Sequence, residues 1–186
     1  MIHQILEVLA NWVVEVQKSM GYAGIVFLMA VESACIPLPS ELIMPFAGYL
    51  VSQGVFGIWE ASIAGAVGCV VGGWVAYAVG YYGGRPFVNK YGKYILLNPR
   101  DLDMAEELLK KHGEIIAFVS RLLPVIRTFI SLPVGMARMN FWKFSIYSFL
   151  GSLPFCYALT WFGMKLGENW ASIRSYFHQA DLVIGA

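Results

Sequence analysis

The stretch ESACIPLPSE, residues 32–41, decides how this chain is read. Apolar GIVFLMAV (24–31) leads into it and LIMPFAGYLV (42–51) follows it. Two carboxylates, Glu32 and Glu41, and two prolines, Pro37 and Pro39, therefore interrupt the greasiest part of the sequence. Proline removes a backbone donor and breaks a helix interior. The apolar arm before the break (21–36) is barely long enough to cross a bilayer, which takes about 20 residues. The arm after it (41–51) is shorter still and carries Pro45 and Gly48. Two short arms around a proline-rich break predict a re-entrant helical hairpin, which is tolerated at membrane depth only where protein or a wet cavity covers it.

The same plan returns downstream. Residues 114–139 are apolar but hold Arg121, Pro124, Arg127 and Pro133, with Gly135 two residues later. Each half thus has an arm with a charge, a proline break with a second charge, a Pro-to-Gly return, and a long apolar helix. One crossing helix between the two broken segments would bring them in from opposite faces, the logic of an inverted repeat. The charges differ by half: Glu32 and Glu41 in the first, Arg121 and Arg127 in the second. A charge at mid-membrane costs roughly 2.5–3.5 kcal/mol on insertion scales. The simplest way to offset four such costs is to bring both hairpins around one polar cavity. There the planar guanidinium forks suit a phosphate, and the carboxylates are the residue type that can take up and release a proton. Structural ion pairs that lock the hairpins are the plainer reading of the same four residues.

Composition agrees with a membrane setting. Of 186 residues 58% are hydrophobic and only 13% charged, against about 25% charged in soluble domains, and the mean hydropathy is +0.62. The net charge of +1 gives no reason to expect a nucleic acid partner. MIHQILEVLANWVVEV at the start lacks a basic leader and carries Glu7 and Glu15, so no cleaved signal is expected. Cys35, Cys69 and Cys156 have no metal-ligand spacing and read as small packing residues. His3, His112 and His178 read as surface residues. No cofactor and no metal are expected.

The predicted architecture is an all-α integral membrane protein of a single domain (1–186): an inverted repeat of two re-entrant hairpins, each followed by a spanning helix, with amphipathic surface helices. Its parts are an N-terminal amphipathic helix (1–19), the first hairpin (20–55), a spanning helix (56–84), a cytoplasmic amphipathic segment (85–113), the second hairpin (114–139), a second spanning helix (140–167) and a C-terminal helix (168–186). The cytoplasmic assignment rests on Arg85, Lys90, Lys93, Arg100, Lys110 and Lys111. Within it, Asn98 and Pro99 suit a helix start, and acids precede lysines as the helix dipole favours. Gly68 and Gly72, Gly80 and Gly84, and Gly163 and Gly167 have the spacing that lets helices approach closely. Such glycines serve internal packing and contacts between copies equally, so a homo-oligomer stays open.

At these residues the chain resembles the DedA family, also called the SNARE-associated or VTT-domain family. The resemblance rests on Glu32 followed by Pro37-Leu38-Pro39-Ser40-Glu41, on Phe118-x-x-Arg121-x-x-Pro124-x-x-Arg127-Thr128, on Pro133-x-Gly135-Met136-Ala137, and on Lys111-His112-Gly113 leading into Arg121. It covers roughly residues 20–165. It implies a lipid transporter in the bacterial cytoplasmic membrane, multi-pass and driven by the proton motive force. Bacterial members include transporters of undecaprenyl phosphate, others are linked to phosphatidylethanolamine, and eukaryotic relatives are scramblases. The family's essential acids and arginines fall on Glu32, Glu41, Arg121 and Arg127, although some members carry Asp where Glu41 stands. The expected function is thus transport of a polyprenyl phosphate, with Arg121 and Arg127 on the phosphate, Glu32 and Glu41 on the coupling proton or sodium ion, and Pro37, Pro39, Pro45, Gly48, Pro124, Pro133 and Gly135 shaping the hairpins. Three other readings stand beside it: a phospholipid flippase or scramblase, an intramembrane lipid phosphatase, and a membrane scaffold. The phosphatase lacks an evident nucleophile and base in either motif.

Overall fold

The computed structural model describes residues 12–34, 40–91, 113, 115–123, 127 and 130–168, with side chains at all of these except 40 and 84–91. The expected breaks at Pro37, Pro39 and Pro124, most of the segment 85–113 beyond its helical start, and the C-terminal helix fall outside the described side chains or residues. Every regular element among the described residues is helical.

Helix α1 covers the described residues 12–20, and α2, Tyr22–Ser33, follows after Gly21. Gly21 has φ +61°, a left-handed turn that costs glycine nothing. Helix α3 is Ser40–Ser52. It closes at Gly54 (φ +75°), with the Gly54 amide donating to Val51 O and the Val55 amide to Leu50 O, the paired bonds of a glycine C-cap. Helix α4, Ile58–Tyr91, has 34 residues. Helix α5 (115–119) tightens into a 3-10 turn, Ser120–Leu122. The short α6 is Ser131–Met136, and α7 is Phe141–Glu168, 28 residues. Asn140 caps α7, its Oδ1 accepting from the Trp142 and Lys143 amides at 3.0 and 3.2 Å.

Lengths sort these helices into two kinds. Ile58–Gly83 within α4 is long and apolar enough to cross a membrane. At 1.5 Å per residue the 12 residues of α2 and 13 of α3 reach only about 18–20 Å, short of a hydrocarbon core of roughly 30 Å. Helix α7 has the length but is less apolar, because Ser148, Ser152 and Thr160 stand on its buried face. Its outer surface compensates: Trp142, Ile146 and Leu150 are exposed along one stripe of its first half and Phe162 and Leu166 near its end, and Trp59, Ile63, Val67 and Trp74 are exposed along one stripe of α4. Exposed apolar stripes this long mark surfaces made for an apolar surround.

The two arms of the first half hardly pack on each other. Helix α2 packs on α4, and α3 packs on α7. In the second half the 3-10 turn packs on α7 and α6 on α4. In each half, then, the first arm lies on the helix that follows it and the second arm lies on the long helix of the other half. Glycines permit both exchanges. A Cβ on Gly48 of α3 would strike Thr160 O of α7, and one on Gly163 would strike Pro45 O. At the counterpart crossing a Cβ on Gly135 of α6 would strike Tyr77 O of α4, and one on Gly80 would strike Leu132 O.

Pro45, Gly48, Pro133 and Gly135 correct the sequence expectation in one respect. They sit inside α3 and α6, at these crossings, and do not break the chain. Pro133 lies in the first turn of α6, where its missing N–H has no intrahelical partner to lose. Pro45 lies deeper and deprives only Glu41 of a backbone bond, at the exposed start of α3.

Around these crossings lie two apolar clusters. The larger joins Val13, Ile25, Leu28, Met29, Ile43, Met44 and Leu50 with Cys69 and Cys156. The smaller joins Tyr77, Ile130, Val134 and Phe144. Gly135→Ala and Gly163→Ala should each destabilise the protein by about 1–3 kcal/mol through overpacking, read as a lower melting temperature in detergent. Gly113→Ala, whose Cβ would meet only Met139 Sδ at 3.7 Å, should melt like the parent.

Candidate functional site: a buried arginine–glutamate centre

Glu32 occupies the last turn of α2, where the helix's own carbonyls make a carboxylate unwelcome. A counter-charge comes from 95 residues away: Arg127 Nη2 donates to Glu32 Oε2 at 2.9 Å. The two side chains are 2% and 6% exposed. Ser33 Oγ donates to the same carboxylate oxygen at 3.1 Å.

Arg121 lies beside this pair and is 1% exposed. Its Nη1 donates to the Arg127 carbonyl at 2.9 Å, and its Nη2 donates to Ser131 Oγ at 2.7 Å and Ser148 Oγ at 3.1 Å. The bond to the Arg127 carbonyl ties the second guanidinium's backbone to the first guanidinium. Each cation also stands over a ring, Arg121 Cζ 5.5 Å from Phe144 and Arg127 Cζ 4.5 Å from Phe155, an arrangement that attracts a desolvated cation.

Two glycines make the room. A Cβ on Gly73 of α4 would sit 3.0 Å from Arg121 Nη2, and one on Gly151 of α7 would sit 2.8 Å from Arg121 Cβ. The centre is therefore built from α2, α4, α7 and the segment from the 3-10 turn to α6. Among the described residues it holds two guanidiniums and one carboxylate. Of Arg127's nitrogens only Nη2 has an acceptor there; Nε and Nη1 have none.

Glu41 stands apart from the other three charged residues. It is exposed in the first turn of α3, where the positive end of the helix favours an acid. It lines a cavity of about 860 Å3 together with Glu15 and Lys18 of α1, Phe46 and Tyr49 of α3, and Leu166 of α7. Glu32, Arg121 and Arg127 do not line that cavity. The volume is in the range of small-molecule sites. The single cavity expected from the sequence is thus divided: three charges meet in the buried centre, and the fourth faces a separate, mostly apolar cavity.

Sequence reasoning missed the residues that hold the centre together: Ser33, Gly73, Ser131, Ser148 and Gly151. One signal was present. Ser148 and Ser152 stand four apart around Gly151 in an otherwise apolar helix, and so share one face of α7. Glu32→Gln leaves Arg127 buried without a counter-charge, and breaking a buried pair in this way costs about 3–5 kcal/mol. Chemical or thermal unfolding in detergent should register that loss, and Gly73→Ala should lower stability too by pushing on the Arg121 guanidinium.

The family model for the VTT domain matches residues 38–165. A protein of Bacillus subtilis strain 168 named "Uncharacterized membrane protein YkoX" is 42% identical over 96% of this chain and 79% of its own length. The "Undecaprenyl phosphate transporter A" of the same organism is 39% identical over 84% of this chain and 77% of its own. An "Alkaline phosphatase-like protein" of Lactococcus lactis subsp. cremoris is 33% identical over 94% of this chain and 84% of its own. No solved structure matches the chain. With most of its length inside the family model and relatives this similar, the chain is a membrane protein of the VTT-domain (DedA) family.

Proposed function

We propose that this protein is a proton-coupled transporter of a polyprenyl phosphate, such as undecaprenyl phosphate, across the bacterial cytoplasmic membrane. One observation carries the reading: a buried arginine, Arg127, shared between an internal carboxylate and unused donors in a centre with more guanidinium than carboxylate. The relative named as an undecaprenyl phosphate transporter supports the substrate class.

Glu32 and the substrate phosphate compete for the same guanidinium. When a phosphate monoester engages Arg127, Glu32 loses its counter-charge. Glu32 is the residue type that can take up a proton when the guanidinium facing it is engaged by another anion. Release of the phosphate lets the proton leave and the Glu32–Arg127 pair re-form. Headgroup binding and proton uptake are thereby coupled through one guanidinium, whose Nη2 faces Glu32 and whose Nε and Nη1 face the ligand. Glu41, which lines the other cavity, passes the proton or sodium ion between solvent and the protein. The short arms α2 and α3, and the pair formed by the 3-10 turn and α6, act as re-entrant elements entering from opposite faces. The polyprenyl tail stays outside, against the apolar stripes of α4 and α7.

A phospholipid flippase or scramblase is the second reading, and the cavity beside Glu41 favours it. Glu15, Glu41 and Lys18 offer both signs to a zwitterionic head. The name of the Lactococcus relative adds a third, a lipid phosphatase. Among the described residues no group of three or more His, Cys, Asp or Glu could hold a metal ion.

Protein reconstituted in liposomes separates the three. Under a proton gradient, labelled polyprenyl phosphate should change leaflet and phosphatidylethanolamine should not, with no inorganic phosphate released. Arg127→Lys should slow the exchange by about tenfold or more, since lysine cannot supply the planar fork. Glu32→Gln should abolish its dependence on the gradient. Exchange of phosphatidylethanolamine alone, or phosphate release, would overturn the assignment.

A further inference from the structure

Among the described residues, the buried side-chain polar atoms without a partner include Arg127 Nε, Arg127 Nη1 and Ser152 Oγ. We propose that these three form the edge that receives the anionic oxygens of the ligand, and that Arg121, through its Nη1 and Nη2, holds this edge in position. The inference deepens the transport reading and rests on it for the identity of the ligand as a phosphate monoester.

Ser152 is the unexpected member. It is 1% exposed, and its hydroxyl differs from two other buried hydroxyls in the long helices. Ser62 on α4 and Thr160 on α7 each donate to the carbonyl four residues back, at 2.6 and 2.8 Å. Ser152 does not, although Ser148 O is in the equivalent place. Buried polar groups are almost always satisfied, and an exception asks for an explanation such as an absent ion or water. Its position on α7 supplies one. Ser148, one turn earlier, accepts from Arg121, and Phe155, three residues later, lies under Arg127. Ser152 therefore stands on the stretch of α7 that faces the two guanidiniums.

The chemistry of the set is selective. Guanidinium nitrogens only donate, and a hydroxyl can donate or accept, so the three atoms together call for an acceptor-rich anion. A phosphate monoester presents three terminal oxygens to such a set, whereas a phosphodiester head presents two. Arg121 contributes differently. Its Nη1 and Nη2 are bonded to the Arg127 carbonyl, Ser131 and Ser148. It fixes the backbone that carries Arg127 and the face of α7 that carries Ser152, and is a positioning residue.

The test uses the full chain, purified in detergent, with dodecyl phosphate as probe and dodecanol as the uncharged control. Melting temperature is followed as each is titrated. The parent should be stabilised saturably by dodecyl phosphate and not by dodecanol. Ser152→Ala should weaken that response about tenfold in concentration, the effect of one hydrogen bond to a charged group, with no loss of melting temperature in the absence of probe. Ser152→Cys, similar in volume but a weak donor, should behave alike. Arg121→Lys should lower the affinity and the unliganded melting temperature together. Titration of Ser152→Ala and Ser152→Cys like the parent, or equal stabilisation by dodecanol, would overturn the inference. If Ser152-dependent phosphate binding persists while liposomes fail to move polyprenyl phosphate, the substrate reading falls and the anion edge stands. Transport that survives with a Ser152-independent response overturns the edge alone.

Discussion

The attraction between Glu32 and Arg127 in the buried interior is the constraint on which the rest depends. Each charge alone would be very costly to bury. Together, with Ser33 on the carboxylate and Phe155 under the guanidinium, they tie the end of α2 to a residue 95 positions away. The tie is incomplete on the arginine side, where only Nη2 is used among the described residues. A pair that were fully satisfied would hold the halves together and do nothing more. One that leaves donors over holds the halves together and still has an interaction to offer a ligand.

The apolar frame makes that pair affordable. Glycines on α4 and α7 bring backbones close enough for a second guanidinium to be threaded between helices, where Gly73 and Gly151 give up the space a side chain would fill. The serines then convert apolar helix faces into acceptors for Arg121. Polar groups are turned inward and large apolar ones outward on the same helix, as α7 illustrates with Ser148 and Ser152 buried and Trp142, Ile146 and Leu150 exposed.

Much of this was legible before any coordinates. Proline breaks and short apolar arms announced α2 and α3 as too short to cross, and the repeated order of charge, proline, glycine and long helix announced the two halves. Glu32, Arg121 and Arg127 stood out because charge in an apolar run is costly and must be compensated. What could not be read was which arm would lie on which long helix, since periodicity describes one helix at a time and carries no record of its partner. For the same reason Glu41 could not be told from Glu32: both are acids beside prolines, yet one lies at the carbonyl end of α2 and is buried, and the other lies at the amide end of α3 and is exposed. Gly73 and Ser131 looked ordinary because their importance comes from what sits opposite them.

The crossed arrangement of the arms has a mechanical consequence. Because α3 rides on α7 and α6 rides on α4, neither half of the chain owns a complete set of neighbours. The halves are interlocked like clasped hands and cannot be drawn apart, or rocked as two rigid blocks, without uncovering the close backbone seats at Gly48, Gly163, Gly80 and Gly135. Those four seats are also where each short arm rests on a long helix, so a shift between the halves and a shift of an arm on its long helix disturb the same backbone contacts.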